Sequence, residues 1–130
     1  MREAATRDEA VFETVRGMPG HLLRRFQQIA VSMFLRECRD FDLTPLQFAA
    51  MAALRDSPPV DQATLGGMIA LDRTTIGVVV GKLETRGLVA RSVSDRDRRS
   101  KLVRLTADGA ALLADVLPAV ARVQQRLLEP

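Results

Sequence analysis

The sequence predicts a mainly α-helical fold that carries one small β-hairpin. Apolar residues recur at intervals of three and four along several segments, which is typical of amphipathic helices. Two strand-like runs in the second half flank a polar loop, as the strands of a hairpin do. Hydrophobic residues make up 47% of the 130 residues while Trp and Tyr are absent, so the core must be largely aliphatic. A chain of this length suits a single domain.

The first predicted helix runs from about His21 to Asp40. Residues 1–16 are expected to form a polar, frayed lead-in, and the glycines and proline of residues 17–20 favour a break before the helix. The apolar residues that share one face of this helix are Leu22, Phe26, Ile29, Ala30, Met33, Phe34 and Cys38.

The second predicted helix begins after Thr44 and ends near Arg55. Thr44 suits the N-cap position, Pro45 suits the first helical position, and Gln47 completes a capping box. The prolines that follow Ser57 end the helix, because proline disfavours the helical state of the residue before it.

Two further helices are predicted in quick succession, at Gln62–Met68 and Arg73–Arg86. Asp61 and Asp72 are suitable N-caps for them, and Gly87 stands where a left-handed residue commonly follows a helix. The apolar stripe that should face inward from the second of these helices consists of Ile76, Val79, Val80 and Leu83.

The hairpin is predicted from strands at Leu88–Ser92 and Lys101–Leu105, joined by a loop rich in Asp and Arg. Thr106 is a suitable cap for a last helix from about Ala107, in which Pro118 is expected to produce a kink. The chain is therefore expected to continue from two helices joined by a tight turn to a charged hairpin and a long helix.

Positive charge is concentrated in residues 86–104. Seven basic and two acidic residues give this segment a charge of +5, so the remainder of a chain with a net charge of +3 is slightly negative. A positive patch on a near-neutral body is typical of proteins that bind the phosphate backbone of nucleic acids, although most charge runs are only solvated surface.

Two helices joined by a tight turn allow the second helix to lie in the major groove of DNA. The outer surface of the helix predicted at Arg73–Arg86 is small and polar, and it consists of Arg73, Thr74, Thr75, Gly77 and Val78. Arginine can read guanine edges, while threonine can bind a phosphate or touch a thymine methyl group. Gly77 and Gly81 have no side chain to project from this surface, so DNA is expected to approach the helix backbone closely there.

The hairpin tip has the composition of a wing that reaches the minor groove. Arg96, Arg98 and Arg99 are expected to contact DNA there, because a narrow minor groove has a strongly negative potential. Asp97 cannot bind phosphate and is expected to brace these arginines through ion pairs. The sequence therefore predicts a winged helix-turn-helix domain that binds double-stranded DNA.

The stretch Leu65–Gly109 resembles the MarR family of bacterial regulators, and the likeness extends over roughly residues 20–130. The residues that carry it are Leu71, Asp72, Thr75, Leu83, Glu84, Gly87, Leu88, Val89, Arg91, Asp97, Arg98, Arg99, Leu105, Thr106 and Gly109, with Thr44, Gln47 and Phe48 upstream. The chain departs from the family at Ser94-Asp95, where Asp-Pro is common, and at Gly66-Gly67, which is expected to loosen the third helix.

The resemblance implies a dimer that binds a palindromic operator as a repressor and is released by a small, often aromatic ligand. It implies a lead and first dimerisation helix over residues 1–40, a DNA-binding domain over 41–105, and a C-terminal dimerisation helix over 106–130 that is incomplete relative to the family. The candidate DNA contacts are Arg73, Thr74, Thr75, Gly77, Val78, Lys82, Arg96, Arg98 and Arg99, with Asp97 bracing the wing.

A ligand pocket is a hypothesis for the side chains of the first two helices, since phenylalanines and methionines at helical spacing are more often plain core. The candidate ligand-binding residues are His21, Arg25, Phe26, Met33, Phe34, Phe48 and Met51. The expected partners are operator DNA, a second copy of the chain and a small-molecule effector.

Other functions stay open at this point. A winged helix can serve as a protein–protein interaction module, and Cys38 can act as a redox sensor, although a buried inert thiol is the more common case. Neither an enzyme nor a metal or cofactor site is expected, because His21 is the only histidine and no phosphate-cradling glycine loop is recognisable. The single cysteine, the charged start and the lack of a membrane-length apolar run indicate a cytoplasmic protein that does not enter the membrane.

Overall fold

The computed structural model describes residues 11–93 and 101–130. The chain falls into two compact units, Met1–Met33 and Phe34–Pro130. The described elements, in chain order, are α1 (Pro19–Glu37), a 3-10 turn (Arg39–Phe41), α2 (Pro45–Arg55), β1 (Val60–Asp61), α3 (Gln62–Met68), α4 (Arg73–Thr85), β2 (Val89–Val93), β3 (Lys101–Leu105) and α5 (Ala107–Leu127). The prediction of a mainly helical fold with a small β-hairpin is confirmed.

The described part of the first unit is helical over residues 11–16 and again from Pro19. The frayed lead-in expected there is wrong for residues 11–16, where Arg16 forms an ion pair with Glu13 at 2.9 Å. The helix α1 begins at Pro19, two residues before the predicted start at about His21. Proline suits the first helical position because the amide hydrogen that it lacks would have no partner within the helix there. In this unit α1 carries four large apolar side chains that are 45% or more exposed: Leu22, Leu23, Phe26 and Ile29.

The second unit contains an aliphatic core, as the composition predicts. The largest fully buried side chains are Met51, Leu65, Ile76, Leu83, Leu113, Val80, Val103, Val116, Val123 and Cys38. Phe34 and Phe48 add a tilted aromatic pair whose ring centroids are 5.9 Å apart. This core joins α2, α4, α5 and the end of α1 around one apolar centre.

The helix α1 ends at Glu37 rather than at the predicted Asp40. The chain tightens into the 3-10 turn and then reverses at Asp42, whose φ of 51° is left-handed. Glu37 itself is held by α5, because its carboxylate lies 2.9 Å from the guanidinium of Arg126 and 3.5 Å from that of Arg122. Basic side chains from α5 therefore neutralise the acidic end of α1.

The N-caps predicted for α2, α3, α4 and α5 are confirmed. Thr44 and Gln47 form the full capping box, with both side chain to main chain hydrogen bonds at 3.1 Å. Asp61, Asp72 and Thr106 each accept a hydrogen bond from the amide three residues later, at 2.7, 2.8 and 3.0 Å. These four caps fix where the helices of the second unit begin.

The described strands form an antiparallel sheet in the order β1-β3-β2. In the hairpin Val89 pairs with Leu105 and Arg91 pairs with Val103, while Val60 of β1 pairs with Val103 from the other side. The strand β1 was not predicted, because a strand of two residues between a proline pair and a helix shows no alternation. The strand β2 is shifted by one residue relative to the prediction.

The start of α5 is packed closely against the beginning of the hairpin. Thr106 donates its hydroxyl to the carbonyl oxygen of Gly87 at 2.7 Å, and its amide to the carbonyl oxygen of Leu88 at 3.1 Å. A Cβ on Gly109 would collide with that Leu88 carbonyl and lie 2.7 Å from Cδ1 of Leu105. Gly109 is therefore required by close approach of backbone. The helix α5 then continues through Pro118 to Leu127.

Candidate nucleic-acid interface

The helices α3 and α4 form a helix-turn-helix pair. Their axes bend by 106°, which lies within the range of about 90–120° that is usual for this motif. The turn contains Ala70 at a φ of 58°, and the amide of Leu71 donates to the carbonyl oxygen of Gly66 at 2.9 Å. Among the described residues, no single helix is long and apolar enough to cross a membrane, and only these two bent helices meet that criterion together.

Gly66 allows α3 and α4 to approach each other. It is buried, and a Cβ at this position would lie 3.1 Å from the carbonyl oxygen of Leu71 and 3.3 Å from Cγ2 of Ile76. Gly67, by contrast, is exposed and has open space where a Cβ would be. The expectation that the glycine pair loosens α3 therefore misses the packing reason for Gly66.

The N-terminus of α4 is organised by Asp72. Hydrogen bonds from the hydroxyl and the amide of Thr75 lower the pKa of the Asp72 carboxyl, so it is ionised at neutral pH. Asp61 at the start of α3 is similar, because the amide and hydroxyl of Thr64 lower its pKa. Thr75 is half-buried and engaged with Asp72, which leaves it less available to DNA than the exposed Thr74 beside it.

The outer surface of α4 is open along its length. Arg73, Thr74, Val78 and Lys82 are exposed, whereas the predicted inward stripe of Ile76, Val79, Val80 and Leu83 is buried. Gly77 and Gly81 are half-buried, because each has a neighbour inside the molecule. A Cβ on Gly77 would lie 3.2 Å from Nε2 of Gln62, and one on Gly81 would lie 3.9 Å from a terminal nitrogen of Arg91.

An open groove of about 740 Å³ follows one side of this surface. Its lining residues are Asp42, Thr44, Gln47, Gly77, Val78, Gly81, Lys82, Thr85 and Arg86. Arg86 holds the two walls together, since its guanidinium donates to the carbonyl oxygens of Phe41 and Asp42. Arg86 was predicted as the end of α4 and as part of the positive patch. Its contact with Asp42 was not predicted, because a contact across 44 residues gives no local signal.

The predicted wing contacts Arg96, Arg98 and Arg99 lie outside the described residues, as does Asp97. The base of the hairpin is described, and β2 packs against α4, as the position of Arg91 beside Gly81 and its ion pair with Glu84 indicate. The helix-turn-helix and the hairpin that the sequence predicted are therefore neighbours. The assignment of individual DNA contacts stays a prediction.

The candidate ligand residues are divided between the two units. In the first unit His21 and Met33 are half-buried, while Arg25 and Phe26 are exposed. In the second unit Phe34 and Met51 are buried in the core and Phe48 packs against Phe34. Their role as ligand contacts stays a prediction, and the three residues of the second unit also have the core role that the sequence analysis weighed against it.

Cys38 lies in an environment that suppresses thiol reactivity. It is 1% exposed, and burial raises its pKa, with the Glu37 carboxylate adding to the rise and Arg122 opposing it. A thiol, and not a thiolate, is therefore present at neutral pH, which disfavours the redox hypothesis. Among the described residues, no three His, Cys, Asp or Glu side chains are grouped so that they could hold a metal ion.

Comparison with known proteins gives a consistent result. Residues 41–100 match the sequence model of the MarR family. The transcriptional repressor NicR of Pseudomonas putida is 40% identical over 106 residues, which cover 82% of this chain and 67% of NicR. The described fold and the comparison therefore agree on a winged helix-turn-helix regulator.

Solved structures extend the similarity to most of the chain. BpsR of Bordetella bronchiseptica, whose DNA binding is regulated by 6-hydroxynicotinic acid, is 36% identical with a TM-score of 0.82 and covers 88% of this chain and 84% of its own. The repressor CouR bound to a 23-mer DNA duplex is 33% identical with a TM-score of 0.81, covering 88% and 82%. On its sequence motifs, its fold and these relatives, the chain belongs to the MarR family of transcriptional regulators.

Proposed function

We propose that this protein is a sequence-specific DNA-binding repressor that acts as a homodimer in the cytoplasm and is released by a small aromatic acid. The observation that carries the proposal is the exposed polar surface of α4, which the 106° turn presents beside the hairpin. The resemblance of 88% of the chain to the fold of a repressor bound to a DNA duplex supports it. The proposal assigns the protein no enzymatic activity.

The first turns of α4 carry base and phosphate recognition in this proposal. Arg73 and Thr74 are exposed at the helix N-terminus, where the helix dipole also favours a phosphate. Val78 offers an apolar contact for a thymine methyl group, and Lys82 offers a charge to the backbone farther along the helix. Arg96, Arg98 and Arg99 act from the wing, with Asp97 bracing them.

Dimerisation places two such helices on one operator. Consecutive major grooves on one face of DNA are about 34–36 Å apart, so a symmetric pair of domains reads a palindrome. We assign dimer formation to residues 1–40 and 106–130, and DNA binding to residues 41–105. The exposed apolar band of α1, which includes Leu22 and Phe26, supports this assignment because a monomer would leave it in water.

The effector class follows from the relatives. The regulation of BpsR by 6-hydroxynicotinic acid favours a hydroxylated aromatic acid for this chain as well. An arginine such as Arg25 suits the carboxylate, His21 suits a ring hydroxyl, and Phe26, Met33, Phe34, Phe48 and Met51 are candidates for the ring. Binding that favours another spacing of the two recognition helices shifts the population away from DNA.

The test is a fluorescence anisotropy titration of the full chain with labelled DNA duplexes, repeated at several salt concentrations. We expect binding that weakens steeply with salt and that 6-hydroxynicotinic acid or a related aromatic acid reverses. Arg73→Ala should weaken binding to the preferred sequence far more than Arg55→Ala, an exposed arginine of α2. A chain that binds no duplex at low salt contradicts the proposal and favours the protein–protein interaction module.

A further inference from the structure

We propose that Arg91 binds a DNA backbone phosphate at the junction of α4 and the hairpin. The proposal rests on the DNA-binding function proposed above and adds a contact that the candidate DNA residues do not include. From the sequence, Arg91 was one of the basic residues of the 86–104 segment and part of the family pattern, without a predicted contact.

The hairpin directs Arg91 inward, toward α4. Arg91 pairs with Val103 across the hairpin, and Val103 is fully buried, so both side chains leave the same face of the sheet. The guanidinium lies beside Gly81, where a Cβ would be 3.9 Å from its terminal nitrogen. Gly81 thus leaves room for the planar guanidinium of Arg91 against α4.

The guanidinium is incompletely paired within the described part of the chain. Its ion-pair partner there is Glu84, whose carboxylate oxygen lies 3.6 Å from Nε, beyond hydrogen-bond distance. The Nε atom is buried and makes no hydrogen bond. The Arg91 side chain is 24% exposed, so its charge is largely removed from water. The ion pair with Glu84 offsets only part of this desolvation free energy. Binding of a further anion to this guanidinium is therefore favourable, because it adds an ionic partner to a charge that is already partly desolvated.

The geometry of duplex DNA identifies that anion. A recognition helix in the major groove and a wing in the adjacent minor groove lie on either side of one sugar-phosphate strand. That strand must pass over the junction where β2 meets α4, and Arg91 occupies this junction. The terminal N–H donors of the guanidinium form a planar fork that matches the oxygens of a phosphate.

The experiment measures affinity and salt dependence of the full-length chain on one mixed-sequence duplex, with thermal unfolding of every variant. Arg91→Gln is expected to weaken binding at least about tenfold and to reduce the slope of log K against log salt by about 1. Arg91→Lys should restore the slope while recovering only part of the affinity, since lysine is a point charge. Glu84→Gln should leave the slope unchanged and tighten binding, because it removes a carboxylate near the phosphate.

Arg104→Gln is the matched control. Arg104 lies on the next strand of the same hairpin, pairs with Ala90, and is exposed on the opposite face, so the same loss of charge should leave the slope as in the wild type. The proposal is overturned if Arg91→Gln keeps the wild-type slope, if Arg104→Gln loses as much slope as Arg91→Gln, or if Glu84→Gln weakens binding. If Arg91→Gln does not fold, the tighter binding of Glu84→Gln remains a decisive test. A wild-type chain that does not bind DNA contradicts the proposed function itself.

Discussion

The guanidinium of Arg86, one residue beyond α4, donates a hydrogen bond to the carbonyl oxygen of Phe41, 45 residues earlier in the chain. A second bond from the same group reaches the carbonyl of Asp42. The end of the 3-10 turn and the C-terminus of α4 are therefore held together by one side chain. This tie sets the distance across the groove beside α4.

Removing this tie should reduce stability without abolishing the fold. We expect Arg86→Ala to lower the free energy of unfolding by about 1 kcal/mol, because it removes two charge-assisted hydrogen bonds at a solvent-exposed site. Urea denaturation measures the change. Arg55→Ala, at another exposed arginine, is the control and should change stability by less than about 0.5 kcal/mol. Equal changes in the free energy of unfolding for the two variants would show that the hydrogen bonds of Arg86 do not stabilise the fold.

A methyl group at Gly109 should be far more costly than one at Gly67. The Gly109→Ala variant forces a Cβ into the Leu88 carbonyl, so we expect a loss of about 3 kcal/mol. Gly67→Ala meets open space within α3 and should stabilise the protein by about 0.5–1 kcal/mol through helix propensity. Thermal and urea unfolding of the two variants measure these opposite changes in stability, one from a steric clash and the other from helix propensity. A tolerated Gly109→Ala would mean that α5 does not pack against Leu88 as described.

The cap at Asp72 should make stability depend on pH in the acidic range. Its folded pKa lies below the ordinary value of 3.8, so its stabilising contribution is fully present above that value and is lost as the pH falls through the folded pKa. Asp72→Asn retains a good N-cap without the titrating charge. The difference in stability between wild type and Asp72→Asn should therefore shrink between about pH 5 and about pH 2. A difference that stays constant across this range would contradict the assignment.

The thiol of Cys38 should be protected in the folded protein. Burial and the neighbouring Glu37 raise its pKa, so both access and thiolate content are low. We expect an aromatic disulfide reagent to label it at least about tenfold more slowly in the native state than in urea. Cys38→Ala should bind DNA and respond to peroxide as the wild type does. Fast native labelling, together with peroxide-dependent loss of DNA binding, would instead support the redox alternative.

Local signals explain what the sequence could predict about this fold. Thr44, Asp61, Asp72 and Thr106 each act on an amide only three residues away, so the pattern of residue types was enough to place four helix starts. The outward surface of α4 followed from its helical period in the same way.

Contacts between distant segments explain what the sequence could not predict. The hydrogen bonds of Arg86 and the strand β1 both depend on elements that are far apart along the chain. The two glycines of α4 show the same limit. Their lack of a side chain suited an approach to DNA, yet each one also makes room for a neighbour of the same chain.

The two-residue strand β1 has a mechanical consequence for how such a domain responds to an effector. Val60 is hydrogen-bonded into the hairpin through Val103, and the next residue, Asp61, is already the cap of α3. No linker residue separates the sheet from α3, so we expect the hairpin and the helix-turn-helix to move together as one rigid body. A hinge that changes the spacing between two such rigid bodies in a dimer must then lie before Val60 or after Leu105.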